Sequence, residues 1–185
     1  MTLVQRLGSL VNAFDPADGP PPRTLGAFFN WCLRGSWPAM WLAGVISALA
    51  GATEVLSATI LGWVVDAATK ADPASFFADH HMLVLGFLGF YMLVRPLAFG
   101  LSSASNSIII GPNVMPLVLS RLHRWTLGQA ITFFDNDFAG RISQKQMQAA
   151  RAVTDTVTEM INTVAFALAS VIGSVIFLLA IDWRI

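Results

Sequence analysis

Three apolar runs, each longer than the roughly 20 residues that a helix needs to cross a bilayer, constrain this chain more than any other feature. They lie at Pro38–Val65, from Met82 onward, and at Val153–Ile181. Backbone N–H and C=O groups in hydrocarbon must be satisfied within the segment or across a closed barrel, so runs of this length are read as helices. The composition agrees. Charged residues make up 12% of the chain and hydrophobic residues 55%, whereas a soluble domain carries about 25% charged residues. The mean hydropathy is +0.64. The formal net charge is +0, so no basic surface points to a nucleic-acid partner. The single cysteine, Cys32, excludes an intrachain disulfide.

The distribution of lysine and arginine orients the spans. Arg6, Arg23 and Arg34 precede the first. Arg121, Arg124, Arg141, Lys145 and Arg151 lie between the second and third. The Asp66–His81 connection holds only Lys70 against Asp66, Asp72 and Asp79. The N-terminus and the 131–142 stretch are therefore expected in the cytoplasm, with 66–81 outside. Ahead of the first span, Thr24–Trp37 carries Leu25, Phe28, Phe29, Cys32 and Leu33 at helical spacing, and Trp31, Trp37 and Trp41 suit the headgroup zone. This segment is expected to be an interfacial helix. Thr24 is its expected N-cap, and Gly35 and Pro38 are expected to bend the chain before the first span.

The second run does not stop at the membrane. Val114, Leu117, Val118, Leu122, Trp125 and Leu127 keep a helical period beyond Ile110. Gly111-Pro112 and Pro116 are expected to kink this helix without ending it. From Met82 to Ala130 the helix would exceed the bilayer thickness about twofold. The third helix is expected from about Ser143, running back antiparallel. The stretch ITFFDNDFAGRI, Ile131–Ile142, then lies at the tip of a cytoplasmic hairpin. Phe133, Phe134 and Phe138 there would form an exposed apolar patch unless a partner covers them. Asp135 can N-cap a short helix and Gly140 can turn the chain back.

Two charges fall within the spans. Glu54 and Arg95 both sit near mid-bilayer, where a lone charge costs on the order of 3 kcal/mol. They are expected either to pair between neighbouring helices or to line a polar substrate path. Asp155 and Glu159 are expected either to face Arg121, Arg124 or Arg151 across the hairpin or to form a solvated face. The adjacent His80 and His81 have no third metal ligand near them except Asp79 and read as a loop end beside the headgroups, and Cys32 reads as apolar filler. No nucleophile–histidine–acid set is legible, so no catalytic residue is expected.

In this order the pieces resemble a known family. Phe133-Phe134-Asp135 followed by Gly140-Arg141-Ile142, after a helix ending in basic-x-x-basic, is similar to the first intracellular loop of ABC exporters. The "LGWVVD" ending of the first span (Leu61–Asp66) and the closing "AIDWRI" resemble the same family. The resemblance covers residues 24–185. It implies an all-α membrane fold, half of a six-helix transmembrane domain. Its parts would be a cytoplasmic tail 1–23, an elbow helix 24–37, spans at 38–66, 82–130 and 143–182, and a coupling loop at 131–142. By the same resemblance Phe134, Asp135, Asn136, Asp137, Phe138, Gly140 and Arg141 would dock on a nucleotide-binding domain of the same or a partner chain. That domain would use ATP and magnesium in the full-length protein, a dimer of half-transporters in a bacterial inner membrane. After Gly140 the chain departs from the family's Asn-Asp with Gln144-Lys145-Gln146-Met147-Gln148. No G-x-x-x-x-G-K-[ST] occurs in the 185 residues, so a fragment of an exporter is expected, with no ATP site of its own. The alternative from a different class is a small three-span adaptor whose cytoplasmic hairpin binds a soluble partner without ATP coupling.

Overall fold

A computed structural model describes residues 10–72, 75–135 and 139–181, with no strand among them. The helices are α1 (Leu25–Leu33), α2 (Trp37–Lys70), α3 (Phe76–Asp79), α4 (His81–Gly89), α5 (Arg95–Ser105), α6 (Gly111–Leu127), α7 (Ile131–Asp135), α8 (Ala139–Glu159) and α9 (Phe166–Ile181). Single π-helical segments, Phe90–Val94, Asn106–Ile110 and Met160–Ala165, join α4 to α5, α5 to α6, and α8 to α9. The result is three uninterrupted helical runs long and apolar enough to cross a membrane. They are Trp37–Lys70 with 34 residues, His81–Leu127 with 47 and Gly140–Ala180 with 41.

The second run explains how prolines are tolerated. A proline removes the N–H that would bond four residues back, and its ring presses on that carbonyl. Both π segments of this run end one residue before an X-Pro step, at Arg95-Pro96 and Gly111-Pro112. Each closes on a wider bond, from the Arg95 N–H to the Phe90 carbonyl and from the Gly111 N–H to the Asn106 carbonyl. The Ile108 carbonyl, which Pro112 cannot serve, is instead approached by the Asn113 side-chain amide at 3.4 Å. The same amide donates to the Ile109 carbonyl at 2.9 Å. The kinks expected at these prolines thus take the form of local π turns within a continuous helix.

Two units are distinguishable. The first comprises Met1–Ala43 and Ala104–Ile161. Its dry centre is a seam between α6 and α8: Val114, Leu117, Val118 and Leu122 on one side, Ala150, Val153 and Val157 on the other. A two-helix arm alone would have little core. Here α1 and the segment before it supply a third side, with Cys32 and Leu33 at 0% and 1% exposure and Val11 at 3%. Near the tip the Gln146 amide donates to Thr126 Oγ1 at 2.6 Å, pinning the antiparallel register.

The second unit comprises Gly44–Ser103 and Asn162–Ile185. Its helices meet through small residues, as expected where lipid removes the hydrophobic drive and close backbone approach must replace it. Gly51 lies against the backbone of Phe166, so that an added Cβ would strike the Phe166 carbonyl oxygen. Gly173 lies against Val55, whose Cγ2 would stand 3.0 Å from an added Cβ. Thr53 and Ser57 are buried on α2, with their hydroxyls turned back onto the carbonyls of Ala50 and Thr53 at 2.6 and 2.8 Å. Most of the remaining apolar surface of these spans is exposed, consistent with a lipid or helix environment on the outside.

Candidate functional site

The elbow begins where the sequence places it. Thr24 holds the N-cap position with extended backbone and its carbonyl accepts from the Phe28 N–H at 2.9 Å, but its hydroxyl makes no cap. The far end is more elaborate. Gly35 adopts φ +87, the left-handed conformation that ends helices at low cost only for glycine. Ser36 then donates both its N–H and its hydroxyl to the Leu33 carbonyl, at 3.0 and 2.7 Å. The bend expected at Gly35 and Pro38 is therefore at Gly35, while Pro38 stands in the first turn of α2, where its missing N–H costs nothing.

The last carbonyls of α1 would otherwise be orphans. Arg121 of α6 takes them. Its guanidinium, with 0% side-chain exposure, uses all five N–H groups. Nε donates to the Asp15 carbonyl at 3.0 Å. One terminal nitrogen donates to the carbonyls of Trp31 and Cys32 at 2.8 and 3.0 Å. The other donates to the Arg34 carbonyl at 2.7 Å and to Asp15 Oδ2 at 3.0 Å. A cation at a helix C-terminus is favoured by the helix dipole, and the Asp15 carboxylate balances the charge. Arg121 is fully buried while the Asp15 side chain is 46% exposed, so the pair is desolvated on the arginine side only. Burial pushes the neighbouring Cys32 thiol up to about 12, against a smaller pull downward from Arg121, so it stays protonated and unreactive. The sequence offered Arg121, with Arg124 and Arg151, as one of the possible partners of Asp155 and Glu159 across the hairpin, beside a solvated face. The partners of Arg121 are instead Asp15 and the end of the elbow, and the signal was the Gly35 C-terminus, which needs a donor.

At the tip, α7 spans Ile131–Asp135 and α8 begins at Ala139. Asp135 therefore lies within a helix, as the last described residue of α7, and not ahead of one. Gly140, Arg141 and Ile142 stand in the first turn of α8, four residues ahead of the expected start, because extending a nucleated helix costs far less than starting one. Gly140 does not turn the chain back: among the described residues the glycines with positive φ are Gly19 and Gly35. Asn136, Asp137 and Phe138 lie outside the described residues. Phe133 packs edge-on to Trp125 and to Phe134, with centroids 6.3 and 5.3 Å apart. Phe134 is half-buried and Ile131 is 79% exposed. An apolar groove of about 370 Å³ opens beside Phe133, between Phe28 of α1, Trp125 of α6 and Ile142 of α8, with Lys145 on its rim.

In the second unit Arg95 and Glu54 form an ion pair at 2.7 Å, with about a third of each side chain exposed. The guanidinium carbon also stands 5.7 Å from the ring centres of both Tyr91 and Phe99, a second attraction for a cation. Arg95 is the first residue after a π segment. Tyr91, within that segment, donates its hydroxyl to the Ser57 carbonyl at 3.2 Å, tying the same two helices together. Elsewhere, His81 Nδ1 lies 2.9 Å from the Ala78 carbonyl and His80 stacks on Phe76. No group of three or more histidine, cysteine or acidic residues suited to a metal occurs among the described residues.

With this architecture in place, the chain belongs to the ABC transporter transmembrane region family, whose pattern it matches over residues 40–185. It is an integral membrane segment of a transporter. A relative from Haemophilus influenzae, an uncharacterized ABC transporter ATP-binding protein, is 28% identical over 170 residues, 90% of this chain. The chain spans 27% of that relative's length. No solved structure matches it.

Proposed function

We propose that this chain is the N-terminal half of the membrane domain of an ATP-driven exporter, and that its 131–142 tip transmits movement from a nucleotide-binding domain to the spans. The observation that carries this reading is the arm itself. Helical runs of 47 and 41 residues, against the roughly 20 that a span requires, end on an aromatic tip supported by a dry core. The name of the Haemophilus relative, an ATP-binding protein, supports ATP as the energy source. The 185 residues hold no G-x-x-x-x-G-K-[ST], so ATP and magnesium would be held by a nucleotide-binding domain of the same or a partner chain. This chain's own part is to present Phe134, Asp135, Asn136, Asp137, Phe138, Gly140 and Arg141 to that domain. The arginines and lysine flanking the tip support a cytoplasmic side for it and for the N-terminus, in what we take to be a bacterial inner membrane. The working unit would be a dimer of half-transporters. The Glu54–Arg95 pair serves as an intramembrane brace between the first two spans.

Cysteine crosslinking tests the tip. With Asp137→Cys in the complete protein, a bridge to a cysteine in the nucleotide-binding domain is expected, and its yield is expected to change with bound ATP. A folded protein that gives no such bridge would remove the coupling role and leave the adaptor reading.

A further inference from the structure

Arg121 is the one fully buried cation among the described residues of the first unit, and every hydrogen bond of its guanidinium goes to the elbow or to the segment around it. Such a contact has no half-open form. All five donors are used at 2.7–3.0 Å, so sliding α1 along α6 by one hydrogen-bond length strands a desolvated charge together with the carbonyls of Trp31, Cys32 and Arg34. The surroundings repeat the attachment. Ser120, next in the chain, donates to the Ala13 carbonyl at 3.1 Å. Gly35 stands so close to Asp15 that an added Cβ would lie 3.3 Å from its Oδ2, so the turn leading into α2 wraps the same carboxylate. Ala39 and Ala43 at the start of α2 share the core with Ile109, Ile110 and Val114.

We infer that Arg121 is a positioning residue that locks the elbow and the preceding segment to the arm, so that elbow, arm and the first two turns of α2 move as one body. Movement received at the tip then reaches the start of the first span through α1, as well as along the helices of the hairpin. This inference rests on the coupling role proposed above. Its distinguishing consequence is that the elbow never parts from the arm during the cycle.

Cys32 reports on this directly. It is the single cysteine of the chain, it is fully buried, and it lies in the contact that Arg121 seals. The experiment measures maleimide labelling of Cys32 in the complete protein in lipid nanodiscs, with cysteines outside this chain replaced by serine. It is run without nucleotide and with a non-hydrolysable ATP analogue. Labelling at least a hundredfold slower than in denatured protein is expected in both states. Arg121→Met, which keeps the packing and removes the fork, is expected to raise labelling at least tenfold and to make it differ between the two states. Arg121→Lys, with the charge but fewer donors, is expected to fall between. A nucleotide-dependent rise in the unsubstituted protein would overturn the inference, and that arm needs no variant to fold. So would an Arg121→Met protein as closed and as indifferent to nucleotide as the original. The Asp137→Cys bridge separates the two proposals: a bridge that forms while Cys32 opens defeats the lock alone, whereas an absent bridge defeats the coupling role beneath it.

Discussion

The side chains with most at stake are two arginines handled in opposite ways. Arg121 is fully buried and satisfied mainly by backbone carbonyls, so its worth is positional and depends on a five-donor fork that lysine lacks. Arg95 is satisfied by one carboxylate oxygen and two ring faces and keeps about a third of its side chain exposed. Because removing one partner strands the other, Glu54→Gln is expected to cost more than Glu54→Gln with Arg95→Met. The single change is expected to cost roughly 1–3 kcal/mol, between the limits for exposed and buried pairs. Thermal unfolding in detergent checks the order. A double variant no more stable than the single one would show that the two side chains do not act as a pair.

Among the elements, the spans were legible from hydropathy and the arm from the helical period continuing past Ile110. Proline marked the positions of two π segments, although it did not specify their form. The third, Met160–Ala165, precedes no proline, and no sequence signal identified it. Helix ends were less legible, since Gly140 and Asp135 suit a turn by residue type but were absorbed by helices nucleated beside them. The attachment of the elbow was missed because it joins residues 87–106 apart, and periodicity reports only which face is apolar, not which partner covers it. Small residues in the spans were equally silent. Gly51 reads as one of many membrane glycines, yet it alone of the glycines in α2 meets another helix: Gly44 and Gly62 have nothing within 4 Å of a built Cβ. Gly51→Ala is therefore expected to destabilise by about 1–3 kcal/mol through overpacking, whereas Gly62→Ala is expected to be neutral or slightly stabilising through helix propensity. Unfolding midpoints of the two variants side by side give the comparison.

For the whole molecule, the account turns on the side of the membrane at which the tip emerges. Family membership and three span-length helices set the class. The orientation rests on the positive charges around the tip and before the first span. The most direct measurement is the sidedness of a cysteine at Ile131, the most exposed large apolar side chain among the described residues of the tip, introduced after replacing Cys32 with alanine. A membrane-impermeant maleimide is expected to label it in inverted inner-membrane vesicles and to leave it untouched in right-side-out spheroplasts. Labelling from the outside, or labelling in neither preparation until detergent is added, would contradict a tip that stands clear of the lipid in the cytoplasm.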